Sequence, residues 1–335
     1  MGSTRPAPAL PLRGLLTPEG DASAARPRSG FAAYAWAVLG FNLLVILWGA
    51  FVRATGSGAG CGSHWPLCNG EVLPRAPALA TLIEFSHRLT SGVALLLVIG
   101  LVVGAWRGFP RGHVVRRGAA WTGVLIVVEA LIGAGLVLLE YVANDASVAR
   151  GWWVGTHLAN TFLLVAALSL TAWWASGGAP VRLHGHGLVA GVLLTALGAL
   201  LVLGVSGAIT ALGDTLFPVT SFAEGKALTF SESAHVFVRL RIWHPTLAVA
   251  VGLWLVLAAR VAVGARPERE VRRLAVGLLG LYGAQIAIGL CNLWFLAPVP
   301  LQLGHLLVSD LIWIVMVLLT AAALAERPGA AAPAR

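Results

Sequence analysis

Long apolar runs with few or no charges, separated by short polar segments that carry arginines, dominate this chain. From Phe31 to Val52 there is no charged residue, which is more than the roughly 20 residues a helix needs to cross a bilayer core. Seven more apolar runs of similar length follow, at about 84–106, 118–139, 151–175, 188–212, 236–259, 272–296 and 299–325, five of them with one or two charged residues. The pattern predicts an all-α integral membrane protein with eight transmembrane helices. An even number of spans places both termini on one side. Residues 1–30 are rich in Pro, Ala and Arg and lack the apolar core of a signal peptide, so a disordered cytoplasmic tail is expected there, with a second short tail at 326–335.

Composition excludes the soluble class, because 58% of residues are hydrophobic and only 11% charged, where a soluble domain carries about a quarter. The excess of 23 Lys+Arg over 14 Asp+Glu follows the connections rather than forming a nucleic-acid patch, so no nucleic-acid partner is expected. Four basic residues precede the first run, four follow the second, one the fourth, five the sixth and two the last, sixteen in all. The other seven are Arg53, Arg75, Arg88, Arg150, Lys226, Arg239 and Arg241. Because cytoplasmic segments collect Lys and Arg, the termini are expected in the cytoplasm and the chain in the plasma membrane, with lipid around it.

A weak internal repeat relates helices 1–4 to helices 5–8. Gly49-Ala50-Phe51 matches Gly207-Ala208-Ile209, His87 matches His244, Glu129-Ala130-Leu131-Ile132-Gly133 matches Gln285-Ile286-Ala287-Ile288-Gly289, and His157 matches His305. Each repeat holds an even number of helices, so both insert the same way. Two four-helix bundles are expected, at 31–176 and 187–325, related by an axis along the membrane normal.

Of nine histidines, His113, His184 and His186 fall in cytoplasmic connections and His64 and His235 in outer ones, where solvation accounts for them. His87, His157, His244 and His305 each fall within about two turns of the outer start of helices 2, 4, 6 and 8. Taken singly, any of them reads as a polar residue hydrogen-bonded near the interface. Taken together, two per bundle at one depth on different helices are what bis-imidazole ligation of a haem iron requires. Zinc and copper are the competing metals, yet neither pair has the third protein ligand of a catalytic zinc site, nor the Cys or Met that copper favours.

Between the first two runs the chain reads Arg53-Ala54-Thr55-Gly56-Ser57-Gly58-Ala59-Gly60-Cys61-Gly62-Ser63-His64-Trp65-Pro66-Leu67-Cys68-Asn69-Gly70. On the oxidising side a disulfide between Cys61 and Cys68 is favoured over free thiols, and a structural staple and a redox relay both remain open for it. Cys291, alone in helix 7, reads as packing. Glu84 lies three residues before His87 on one helix face and Arg241 three before His244. A carboxylate stabilised near a helix N-terminus is the bland account of Glu84. Glu129 and Asp310 lie deeper, where a neutral hydrogen-bonded group and a proton path are the two uses for an acid.

These motifs, in this order, resemble the eight-helix bacterial haem A synthases, which are related to the mitochondrial enzymes. The match rests on Val52-Arg53-Ala54-Thr55-Gly56-Ser57-Gly58, Trp65-Pro66-Leu67-Cys68-Asn69-Gly70, Glu84-Phe85-Ser86-His87-Arg88 and the three later histidines, and covers about 31–325. The resemblance implies an oxidoreductase that converts the C8 methyl group of haem O, its substrate, to the formyl group of haem A for terminal oxidases. It implies that His244 and His305 hold a resident haem b in the second half, where Arg241, as a cation beside the haem, is expected to pair with a propionate. It implies that His87 and His157 hold substrate haem in the first half, with Glu84 as the essential acid and Cys61 and Cys68 as an outer-loop disulfide. Where the family commonly has Pro-Asp after the first cysteine, this chain has Gly62-Ser63-His64, so no role for that Asp carries over. The electron acceptor or donor stays open. A haem O synthase and a second copy of the chain are the candidate partners.

Two routes fit bis-imidazole ligation of the substrate. Either one histidine detaches to let dioxygen reach the iron, or electrons are withdrawn and water attacks the oxidised methyl with Glu84 as base or cation stabiliser. The competing reading is a non-catalytic di-haem b cytochrome passing electrons from a quinol, which the four histidines alone would serve as well. Glu84, present in only one half, favours the enzyme. A transporter of parallel repeats would place its polar groups at the bilayer midplane, away from these histidines.

Overall fold

The computed structural model describes residues 29–326 except His184. The tails expected at 1–30 and 326–335 therefore lie, but for Ser29, Gly30 and Glu326, outside the described residues. What is described is helical, in the order α1 (Ser29–Ala54), α2 (Leu79–Gly108), α3 (Val114–Leu138), α4 (Val148–Ala175), α5 (Gly187–Leu216), α6 (Phe222–Thr229), α7 (Val236–Arg239), α8 (Trp243–Ala265), α9 (Arg269–Trp294) and α10 (Val299–Ala323). Among the described residues there are eight segments long and apolar enough to cross a membrane, α7 and α8 counting as one.

The boundaries follow local chemistry. Ser147 caps α4, its side chain accepting from the Arg150 N–H. His113 caps α3 through Nδ1, which accepts from the Val115 N–H, and His235 caps α7 in the same way toward Phe237. Both histidines thus satisfy helix-start donors that would otherwise lack a partner. Pro245 explains why the sixth run is not one straight helix. A proline is tolerated only in the first turn, and the chain passes from α7 through a 3-10 turn at Leu240–Ile242 so that Pro245 enters as the third residue of α8.

Two helices are enclosed and six are more exposed. α4 and α10 bury most of their length, while Leu44, Leu96, Leu131, Leu188, Leu253 and Val276 on the other helices point outward. An outer apolar surface of that extent is one a lipid environment stabilises. α3 packs on α4, α9 on α10 and α5 on α8, while α4 also touches α1, α5 and α10. α4 and α10 meet where Phe162 stacks on Trp313 at 4.9 Å, and the Trp313 indole N–H donates to the Phe162 carbonyl at 2.6 Å. That bond satisfies a buried donor which hydrocarbon could not.

Candidate functional site

Each of the four matched histidines leans on a glycine of the neighbouring helix. A methyl group built on Gly49 of α1 would stand 2.9 Å from Cε1 of His87 on α2, and one on Gly207 of α5 would stand 2.9 Å from Cε1 of His244 on α8. Gly289 of α9 faces His305 of α10 at 3.2 Å, and Gly133 of α3 faces His157 of α4 at 4.0 Å. The repeat matched Gly49 with Gly207 and Gly133 with Gly289; the structure supplies the reason. At Gly49, Gly207 and Gly289 a side chain would press on the imidazole, whereas at Gly133 it would make ordinary van der Waals contact with His157. All four rings are half-buried.

The second pair is also spaced for a shared ligand. The His244 and His305 ring centroids lie 6.3 Å apart. A metal–imidazole bond of about 2 Å on each side of one atom, added to the depth of two rings, gives roughly the same separation. His244 Nδ1 stands 2.9 Å from the Ser206 hydroxyl, which leaves Nε2 as the nitrogen free to ligate a metal. Among the described residues no group of three or more His, Cys, Asp or Glu side chains comes together. The donor set at each place is two imidazoles, which suits the axial positions of a porphyrin-held iron.

The first pair differs in its surroundings. His157 Nδ1 lies 3.2 Å from Glu129 Oε1. Glu129 itself is held by α4, with Asn160 Nδ2 donating to Oε2 at 2.6 Å and the Thr161 hydroxyl against Oε1. That hydroxyl has one proton to share between Glu129 and the His157 carbonyl. In the second half the corresponding residue is Gln285, whose Oε1 has no hydrogen-bond partner; Nδ1 of His87, His157 and His305 alike makes no aligned hydrogen bond, and what sets His157 apart is the carboxylate 3.2 Å away. Asp310 on α10 is fully buried and neither carboxyl oxygen meets a donor.

Glu84 and Arg241, expected beside their histidines, are both engaged. α2 begins at Leu79, earlier than the apolar run, so Glu84 lies in its second turn rather than at its opening. Its Oε1 accepts from Arg88 Nε at 3.1 Å and Nη2 at 2.5 Å, and its Oε2 accepts from the Cys61 backbone N–H at 2.8 Å. Arg88 continues to the carbonyls of His64 at 2.6 Å and Leu67 at 2.7 Å. One carboxylate and one guanidinium therefore fasten the Cys61–Cys68 ring, closed by a disulfide, onto α2. Gly60 is pressed against the backbone of that helix, where a methyl would collide with the Ala80 carbonyl oxygen.

Arg241, in the 3-10 turn before α8, has its Nε 2.7 Å from Asp214 and donates through Nη2 to the carbonyls of Gly213 and Phe217. Asp214 has no part among the residues expected from sequence. Nor has Arg53, which reaches from α1 across to the Ala211 carbonyl, the Thr215 hydroxyl and the Gln302 amide oxygen. No spacing rule announces a tie of that kind. Ser206 could have been found, since it adjoins Gly207 in the repeat. His64 is exposed and Cys291 is free.

A model of the cytochrome oxidase assembly protein family COX15-CtaA matches residues 32–317. A Thermus thermophilus protein named protoheme IX farnesyltransferase is 53% identical over 296 residues, which are 88% of this chain and 49% of that protein. The chain thus spans about half the length of that relative. Heme A synthases match over shorter stretches: that of Alkalihalophilus pseudofirmus is 44% identical over 96 residues, 29% of this chain and 32% of its own, and that of Bacillus cereus is 46% identical over 96 residues, 29% and 31%.

Proposed function

This chain belongs to the COX15-CtaA family of cytochrome oxidase assembly proteins, the haem A synthase family, and from that premise we propose that it oxidises the C8 methyl group of haem O to the formyl group of haem A. The observation that carries the reading is the duplicated histidine pair, each imidazole set against a glycine, with a carboxylate beside only one pair. In this reading His87 and His157 hold the substrate haem, and His244 and His305 hold a resident haem b. A haem bound at each pair supplies a redox-active iron. The protein sits in the plasma membrane with cytoplasmic termini, as the distribution of sixteen against seven basic residues argues. Haem binding then takes place beside the Cys61–Cys68 loop on the outer side.

Glu84 is the acid placed to take a proton. Its two oxygens are shared between Arg88 and the Cys61 N–H, so charge on the carboxylate holds the disulfide loop down, and a proton taken there loosens that hold. Arg241, paired with Asp214, orients the entry of α8 and keeps its remaining N–H groups for a haem propionate. The Thermus relatives named for farnesyl transfer contain a segment like this chain within a polypeptide about twice as long. A farnesyltransferase that makes haem O is accordingly the proposed partner.

Extraction of pigments from cells that make this chain and are supplied with haem O tests the activity. Haem A is expected to appear, and to be missing from cells without the chain. Haem b alone would favour the electron-carrying cytochrome. Haem O made from protohaem, with no haem A, would place in this chain the activity named for the Thermus relatives.

A further inference from the structure

The first histidine pair carries a carboxylate that the second lacks. Glu129 faces His157 Nδ1 at 3.2 Å through Oε1, which also accepts from the Thr161 hydroxyl, while Asn160 donates to Oε2; both partners lie on the helix that bears the histidine. Its carboxylate is therefore positioned by α4 itself and cannot drift away from the ring. The counterpart one turn before Gly289 is the neutral Gln285, and the ring partner in the second half is the hydroxyl of Ser206 on His244. We propose that Glu129 is a positioning residue which sets the reduction potential of haem held by His87 and His157 below that of haem held by His244 and His305. The proposal rests on the assignment of haem to both pairs.

Two effects of the carboxylate combine. At Nδ1 it keeps the proton on that nitrogen, so Nε2 carries the lone pair toward the iron. It also draws the Nδ1 proton toward itself, making the ring a stronger donor, and a stronger donor favours ferric over ferrous iron. A hydroxyl or an amide does this weakly. An electron leaving the first pair then moves downhill to the second. That is the direction required if the first half is where substrate is oxidised, and it assigns the second haem as the first acceptor. Glu129 acts through His157 and need not touch the substrate.

The test is a potentiometric titration of protein reconstituted with protohaem at both pairs, followed by low-spin haem absorbance. Its two steps are assigned by their loss in His87→Ala and His305→Ala. The lower step is expected to belong to the first pair. Glu129→Gln keeps the size and hydrogen-bonding capacity of the side chain, and should raise that step alone. Gln285→Glu should lower the other step alone, and it decides the matter if Glu129→Gln does not retain protohaem. An unmoved step in either variant that holds both haems, or assignment of the lower step to the second pair, overturns the proposal. Wild-type protein that takes up no protohaem would instead contradict the haem assignment itself. Protein that shows the predicted steps but makes no haem A would leave the inference standing and remove the proposed reaction.

Discussion

His244→Ala and His305→Ala are each expected to yield protein that folds into the membrane but lacks the low-spin, six-coordinate b-type spectrum expected of the purified wild type. Two imidazoles set 6.3 Å apart on separate helices would hold a haem iron between them, and removing one would leave it a single side-chain ligand. Changes merely behind a metal ligand cost about 10–100-fold in affinity, so loss of a ligand should cost more. Retention through purification should fail. The measurement is the absorbance ratio of reduced haem to protein after detergent extraction. His87→Ala provides the contrast, because it should leave the resident haem in place. Full spectra in both second-half variants would mean that the resident haem is not held by α8 and α10.

Glu84→Gln should stop haem A formation while leaving the resident haem b untouched. If Glu84 acts in proton transfer, its loss costs about 10²–10⁴-fold in rate. The variant also removes the charge that binds Arg88 and weakens the seat of the Cys61–Cys68 ring, two effects that must be told apart. Arg88→Gln separates them, since it loosens the ring's ties to the His64 and Leu67 carbonyls while keeping the acid. Haem O turnover should fall much further in Glu84→Gln than in Arg88→Gln. Pigment analysis of membranes from the two variants reads the difference. A normal haem A yield from Glu84→Gln, or loss of haem b in that variant, would end the assignment.

All eight spans were legible because apolar runs of this length, carrying at most two charged residues each, have no other use in a chain of such composition, and the expected sidedness rests on the arginines alone. Their ends were less so. α2 starts before its apolar run because the Gly60 backbone and Thr81, whose hydroxyl donates to the Gly60 carbonyl at 2.8 Å, pack its first turns beneath the loop. Hydropathy does not register a contact of that kind. The α7–α8 break follows from Pro245, which is visible in the sequence but lies inside an apolar run that hydropathy reads as continuous. α6 is not among the expected elements, although its signal is present. Ser221 and Glu224 stand three apart, the serine accepting from the Glu224 N–H and the glutamate from the Thr220 N–H and hydroxyl.

The histidines were legible as a pattern, and the glycines opposite them were legible as a repeat without a reason. What the sequence concealed was which charged groups are already partnered. Glu84 and Arg241 both stand three residues before a histidine, and both turn to other residues, Glu84 to Arg88 and the loop and Arg241 to Asp214. Arg88 lies four residues after Glu84, a spacing that was readable, but the Cys61 N–H and Asp214 lie in separate segments, which helical spacing does not encode. Glu129 shows the converse. In the sequence it is only a buried acid, and its position against His157 depends on α3 and α4 lying side by side.

The division of labour between two haem pairs is tested most directly by supplying haem O to purified protein that already holds haem b, then separating and weighing every pigment by chromatography and mass spectrometry. The account predicts that the haem O pool is converted to haem A while the protohaem remains bound and chemically unchanged. Recovery of haem O unaltered beside intact haem b, or consumption of the protohaem itself, would contradict it.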